Sequence, residues 1–213
     1  MFITFEGIEG SGKSTALNSL CAGFANEGIS FVRTNEPGGS TIGRALRPLL
    51  LDREHQLAQL AELFGFLADR AQHVSAVIRP ALEIGDVVIS DRYVDSTIAY
   101  QGYGWGMDLN MLNWLNQTVT GGLMPDLTIL FDLEVEDGLR RVFSRNADRT
   151  GQAAEERFET EPIDFHRRVR EGYLKLAEQY PQRFRLVDAS LPLEVVYGQI
   201  MDVLAERCSI YLS

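Results

Sequence analysis

Eight residues near the start of the chain, Gly7-Ile8-Glu9-Gly10-Ser11-Gly12-Lys13-Ser14, carry the spacing G-x-x-x-x-G-K-[ST]. Glycines in such a run let the backbone curl until successive N–H groups face one point, and a helix starting there adds positive potential. That arrangement grips a polyphosphate. Lys13 can set a point charge against the β- and γ-phosphates, and the Ser14 hydroxyl can ligate Mg²⁺. The set expected to bind a nucleoside triphosphate is therefore Gly7, Ile8, Glu9, Gly10, Ser11, Gly12, Lys13, Ser14 and Thr15. An ordinary glycine-rich turn would not require Lys and Ser at its end. The apolar run Phe2–Phe5 directly before the loop supplies the strand that the motif needs. Lys13, at a helix start, is expected to face solvent in the empty protein.

Two further groups of residues have chemical potential. Val87-Val88-Ile89-Ser90-Asp91 reads as a buried strand ending in an acid. Ligands of open α/β sheets sit at the carboxyl ends of the strands, so Asp91 is expected to face the phosphate loop. There it can hold Mg²⁺ directly or through water, or accept a hydrogen bond from a nucleophile. Arg92 can hold a phosphoryl oxygen. Alone, the pair would equally fit a solvent-facing Asp-Arg turn; beside a phosphate loop the functional reading is preferred. Farther on, Arg140, Arg141, Arg145, Arg149 and Arg157 crowd around the polar segment Asn146–Glu156. That segment reads as a lid, about residues 145–160. Closing it would exclude water and lay Arg145, Arg149 and Arg157 against the phosphates as catalytic groups. Arg140 and Arg141 fit a solvated helix end at least as well.

These residues must be positioned by alternating elements. Five short β-rich runs stand out: Phe2–Phe5, Ile29–Arg33, Val87–Ser90, Leu127–Phe131 and Phe184–Val187. Helical periodicity fills Lys13–Glu27, Ser40–Leu50 with Ser40 as N-cap, Gln56–Val77 stopping before Pro80, Val135–Ser144, Pro162–Gln179 and Leu193–Cys208. Strands alternating with helices imply βαβ units and a parallel sheet covered on both faces. The predicted fold class is α/β, a P-loop NTPase fold with a five-stranded parallel sheet. The chain, residues 1–213, reads as one P-loop domain carrying a mobile lid.

Composition narrows the function. A formal net charge of −10 opposes a polynucleotide partner, which would need a broad positive surface. A small anionic ligand remains compatible, because local donors hold a phosphate. Cys21 and Cys208 have neither metal-ligand nor CxxC spacing and read as small core residues in a reducing compartment. No basic region followed by a long apolar run begins the chain, and no stretch approaches membrane-span length. A soluble cytoplasmic protein is expected.

Taken in order, Phe5–Thr15, Glu36-Pro37-Gly38-Gly39, Phe66 with Arg70, Asp91-Arg92-Tyr93, Tyr100-Gln101-Gly102, Pro125-Asp126-Leu127 and Val187–Ser190 resemble the bacterial thymidylate kinases. The resemblance runs from Phe2 to about Ser190. It implies transfer of the γ-phosphoryl group of ATP to dTMP, with Mg²⁺ as cofactor at Ser14 and Asp91, by a homodimer. Phe66 would stack on the thymine ring and Arg70, one helical turn on, would contact the base. Thr97 and Gln101 would help hold the base, while Tyr100 would crowd the sugar's C2′ position. Glu9 sits where the family has an acid near the acceptor's sugar, Arg47 where it has a base-side Arg, and Arg92 would bridge the two phosphates. Without the resemblance, Phe66 reads as a core aromatic and Arg70 as a solvated position. Two departures stand out. Asn35 occupies the place of a phosphate-binding Arg, for which Arg33 or Arg44 could substitute. Gly10 stands where some relatives carry Arg, so the loop has no guanidinium of its own. Two competing functions are a P-loop kinase for another nucleotide or small acceptor, and a nucleotide-dependent switch. The Phe66/Arg70 pair argues against the first. The lack of an Asn-Lys-x-Asp run argues against a guanine-specific form of the second.

Overall fold

The computed structural model describes residues 1–52, 57–148 and 157–208, with the side chains of 146–148, 157 and 208 outside that description. Five strands, β1 (Phe2–Glu6), β2 (Phe31–Asn35), β3 (Val87–Asp91), β4 (Leu127–Asp132) and β5 (Phe184–Asp188), form one sheet in the order β2-β3-β1-β4-β5. All pairs are parallel, with Phe5 opposite Asp91 and Asp132 opposite Asp188. β1, β3 and β4 are almost continuously buried, as strands covered on both faces must be. Four of the five expected strands continue one residue further, each ending on an acid: Glu6, Asp91, Asp132 and Asp188. β2 lies two residues later than expected.

The helices are α1 (Lys13–Asn26), α2 (Thr41–Leu51), α3 (Gln59–His73), α4 (Arg79–Glu83), α5 (Val94–Thr97), α6 (Leu109–Thr120), α7 (Val135–Asp148), α8 (Ile163–Gln179) and α9 (Leu193–Cys208). Ser40 caps α2 as expected, its Oγ accepting the Gly43 N–H at 2.9 Å. The expected stop before Pro80 does not occur. α3 runs through a π-helical stretch, Val74–Ile78, into α4, with Pro80 in its first turn. The wider π register moves the carbonyl that the proline ring would strike, and Pro80 needs no N–H there. α5, a second π-helical stretch (Ile98–Gly104) and α6 had no assignment from sequence. Polar residues Asp95, Thr97, Gln101, Asn116 and Thr120 occupy buried positions in them and blur the apolar period.

One face of the sheet packs Leu17, Leu20 and Phe24 of α1 against Ile200 and Leu204 of α9. The other packs Leu63 and Leu67 of α3 with Phe165, Val169 and Tyr173 of α8. Cys21 is half-buried against the first of these clusters, not inside it. No helix among the described residues is long and apolar enough to cross a membrane.

Candidate active site

At the carboxyl edge of the sheet a cleft of about 540 Å³ opens, lined by the phosphate loop, the Glu36-Pro37 turn, the ends of α2 and α3, Asp91-Arg92 and α7. Six basic residues line it, Lys13, Arg47, Arg70, Arg92, Arg141 and Arg145, although the chain as a whole is acidic. Local cations thus outweigh net charge in determining what the cleft can hold.

The phosphate loop joins β1 to α1. Its residues Gly10 and Gly12 have φ of +74° and +87°, backbone that glycine adopts without strain. At Gly10 there is a second requirement: a Cβ would lie 2.1 Å from the Gly138 carbonyl oxygen. In return, a Cβ on Gly138 would meet the Glu9 carbonyl at 2.6 Å. α7 therefore rests directly on the loop backbone, and an arginine at position 10 could not be accommodated. Lys13 does not face solvent. Its side chain folds back, Nζ donating to the carbonyls of Gly7 at 2.8 Å and Ile8 at 2.9 Å. Burial, with the nearby Arg92 charge, lowers its pKa to about 8. The loop's own carbonyls hold the lysine where a phosphate would exchange for them.

Ser14 and Asp91 meet, the Ser14 hydroxyl donating to Asp91 Oδ2 at 3.3 Å. Asp91 Oδ1 is buried and has no protein partner. Arg92, next along, has φ +71°, uncommon for a residue with a side chain. One of its nitrogens, Nη2, reaches Glu9 at 3.1 Å and the Tyr100 hydroxyl at 3.0 Å, and its Cζ lies 4.8 Å from the Tyr100 ring centre. Tyr100 also donates to Glu9 Oε1. His166 Nδ1 stands 3.4 Å from Glu9 Oε2. Burial alone would raise the Glu9 carboxyl. Hydrogen bonding from His166, the Arg92 charge, the Tyr100 hydroxyl and Lys13 together bring it down to about 2.

The opposite wall is built on buried polar contacts. Glu36 Oε2 takes Arg70 Nε and Nη2, both at 2.8 Å, while Oε1 faces His73 Nδ1 at 2.9 Å. His73 Nε2 meets Thr34 Oγ1 at 2.6 Å, and Gly39 leaves no room for any side chain between them. Arg70 is not solvated; it is 2% exposed. Its Nη1 donates to Thr97 and Asn116, both at 2.7 Å, and its Nη2 to the Tyr93 carbonyl at 2.9 Å. Four hydrogen bonds and the 2.8 Å ion-pair contact from Nη2 to Glu36 thus engage the whole guanidinium within the protein. Gln101 donates to buried Glu62 at 2.9 Å. Phe66 is half-buried, its ring 6.3 Å from Phe158 across the cleft.

Arg33 and Arg44 do not line the cleft, so neither replaces the guanidinium missing at Asn35. Arg47 of α2 does line it, donating to the Pro37 carbonyl at 2.8 Å beside Asn35, which donates to the same oxygen at 2.8 Å. On α7, Arg140 is solvated and pairs with Asp137 at 2.7 Å. Arg141 instead turns into the cleft, its Nη1 3.0 Å from the Ala189 carbonyl and 3.4 Å from that of Gly10. Arg145 lines the cleft and pairs with Glu159 at 2.6 Å. Arg149 lies outside the described residues, as does the Arg157 side chain and most of the expected lid.

Against known proteins, the family model described as thymidylate kinase matches residues 5–200. The chain belongs to the thymidylate kinase family. A thymidylate kinase of Desulfovibrio desulfuricans is 58% identical over 200 residues, covering 93% of this chain and 92% of the relative. One from Halothermothrix orenii is 46% identical, covering 94% of each. The crystal structure of thymidylate kinase from Ehrlichia chaffeensis superposes with a TM-score of 0.74 at 35% identity, covering 96% of this chain and 98% of that one. As a member of the thymidylate kinase family, the enzyme is a phosphotransferase that phosphorylates dTMP in nucleotide synthesis.

Sequence reasoning gave no role to several side chains that shape this thymidylate kinase site: Glu6, Ser96, Tyr173 and His166 under Arg92 and Glu9, and Glu36, His73 and Asn116 around Arg70. A polar residue inside an otherwise apolar strand, such as Glu6, was one available signal. The spacing Gly138, Arg141, Arg145, one face of α7, was another.

Proposed function

We propose that the cleft takes ATP on the loop Gly7–Thr15 and dTMP against Phe66, Arg70, Thr97, Tyr100 and Gln101, with Arg92 between their phosphates. The observation that carries this reading is the convergence on one cleft of the phosphate-binding cations Lys13 and Arg92 with the aromatic side chains Phe66 and Tyr100. Phosphoryl transfer asks for positioning and charge more than covalent chemistry, and these residues supply both. Tyr100, pinned by Glu9 and Arg92, forms a fixed wall for the sugar. Arg47 lines the cleft beside Asn35, the residue at the place of the family's phosphate-binding arginine.

The residues present fit Mg²⁺. Ser14 and Asp91 offer hard oxygen donors side by side, and the unpartnered Asp91 Oδ1 suits an ion that keeps several waters and completes its shell with phosphate. Bound there, the ion would neutralise charge on the β- and γ-phosphates. Lys13 would follow the γ-phosphoryl group from the loop, and Arg145, Arg149 and Arg157 would close over it from a lid spanning about residues 145–160. The chain acts as one domain. In this reading the enzyme is a cytoplasmic homodimer, with Cys21 kept as a free thiol. The deciding experiment incubates the enzyme with ATP and Mg²⁺ alone and then with dTMP, dUMP, UMP or CMP. dTDP formed from dTMP in preference to the other products is the expected result. Inorganic phosphate released without an acceptor would instead mark a nucleotide switch.

A further inference from the structure

Beneath Arg92 lies a wholly buried carboxylate, Glu6, the last residue of β1. It does not line the cleft. Its Oε1 accepts the Tyr93 N–H at 2.8 Å. Its Oε2 accepts the Ser96 hydroxyl at 2.6 Å and the Tyr173 hydroxyl at 2.8 Å. Those two oxygens also receive Arg92 Nη1, at 3.2 Å and 3.0 Å. Each hydroxyl has one hydrogen. A guanidinium has no lone pair to accept it, and an ionised carboxylate has no hydrogen to give. Ser96 Oγ and Tyr173 Oη also lie 2.9 Å apart, yet with Glu6 ionised the arrangement that satisfies both the carboxylate and Arg92 has both hydrogens pointing at Glu6 and both oxygens turning lone pairs toward Arg92. The same carboxylate holds the peptide N–H that follows Arg92, in the turn where Arg92 adopts φ +71°.

We infer that Glu6 is the positioning residue for Arg92, orienting the Ser96 and Tyr173 hydroxyls as acceptors for its Nη1 and fixing the turn that presents it. Glu6 acts only through this shell and never on the substrate. The inference rests on the reading that Arg92 serves the two phosphates. Glu6→Gln is an apt probe because its amide keeps the shape and inverts the polarity. The amide oxygen can still accept the Tyr93 N–H. Its NH₂ then donates to both hydroxyls, whose hydrogens turn toward Arg92 and oppose it.

The test is steady-state kinetics at about pH 8, where Glu6 is ionised, with ATP, Mg²⁺ and dTMP on the full chain, for the parent, Glu6→Gln, Arg92→Ala and the double variant. Glu6→Gln should lower kcat/KM for dTMP by about 10- to 100-fold, the scale on which small misplacements act. The KM for ATP should change several-fold less than that for dTMP, since the phosphate loop and Lys13 also hold the donor. In the Arg92→Ala background, Glu6→Gln should cost almost nothing more. An equal cost in both backgrounds, or a folded Glu6→Gln enzyme with parental dTMP kinetics, overturns the inference while leaving the role of Arg92 intact. Parental kinetics in Arg92→Ala would instead remove the reading on which the inference stands, and the inference with it. If Glu6→Gln does not fold, the pair Ser96→Ala with Tyr173→Phe removes the same two acceptors. It should show the same loss for dTMP and sparing of ATP; unchanged dTMP kinetics there overturns the proposal.

Discussion

At the scale of single residues, the site is governed by which buried charges are compensated. Lys13 in the empty enzyme has only neutral carbonyl and hydroxyl acceptors, and burial lowers its pKa to about 8. Above that value the free enzyme loses the proton, and an arriving triphosphate restores it. ATP binding at about pH 8.5 should therefore take up protons, read by titration calorimetry in two buffers of different ionisation enthalpy. Lys13→Ala should abolish the uptake and lower kcat by about 100-fold or more. Glu6 and Glu9 titrate in opposite senses. Burial, with repulsion from Asp95 of α5, raises Glu6 to about 7, against the opposing effects of Arg92, Ser96 and Tyr173 of α8. Lys13 and Arg183 also feel its charge. A carboxyl raised in the folded state contributes stability that is complete below about 4.5 and lost as pH rises through 7. Glu9, lowered to about 2, contributes stability present above 4.5 and lost as pH falls toward 2. The difference in Tm between Glu6→Gln and the parent should thus become more positive from about pH 5 to about pH 8. The same comparison for Glu9→Gln should become less favourable to the variant as pH rises from about 2 to about 5.

At the scale of elements, function depends on ties between segments distant in sequence. Arg70 joins α3 to the Glu36 turn after β2, to Tyr93 after β3, and to Asn116 on α6. A lysine carries three donors on a flexible stem and cannot reproduce five fixed contacts. Arg70→Lys should lower Tm, at about 1–3 kcal/mol for each acceptor left unpaired, and raise KM for dTMP more than KM for ATP. Equal losses for both substrates would leave only a scaffold role. α7 carries a second set of ties. Gly138 meets the phosphate loop without a side chain between them, and Arg141 and Arg145 project from the same face. If Arg145, Arg149 and Arg157 close over the phosphates, their combined replacement by Ala should cut kcat by about 10³-fold, with a modest change in ATP affinity and smaller single effects. A triple variant with parental kcat would leave the charge to Lys13, Arg92 and Mg²⁺.

At the scale of the whole molecule, apolar side chains stand exposed on three adjoining helices: Ile42 and Leu49 on α2, Leu60 and Phe64 on α3, Met111 and Trp114 on α6. An apolar surface repeated on packed helices is the type of face that a two-fold homodimer buries. Light scattering should give twice the chain mass of 23.9 kDa, and Phe64→Glu with Trp114→Glu should give the monomer. A parent that runs as a monomer at micromolar concentration would sink the dimer. The sequence by itself determined the phosphate loop and the sheet of five strands, because each is written in a local period or spacing, whereas Phe66, Arg70, Thr97, Tyr100 and Gln101 were legible only through the family resemblance. It also placed Ser14 and Asp91 together, since both follow strands at the same edge of a parallel sheet. It could not determine that Lys13 folds inward, that Arg70 is saturated by protein acceptors, or that α3 passes Pro80 through a π turn. Those outcomes depend on which carbonyls and carboxylates arrive from elsewhere in the chain. Glu6 is the clearest case: a lone acid in an apolar strand, whose three partners come from residues 93, 96 and 173. Only the fold brings those partners together, and without them a charge in that strand would be too costly to bury.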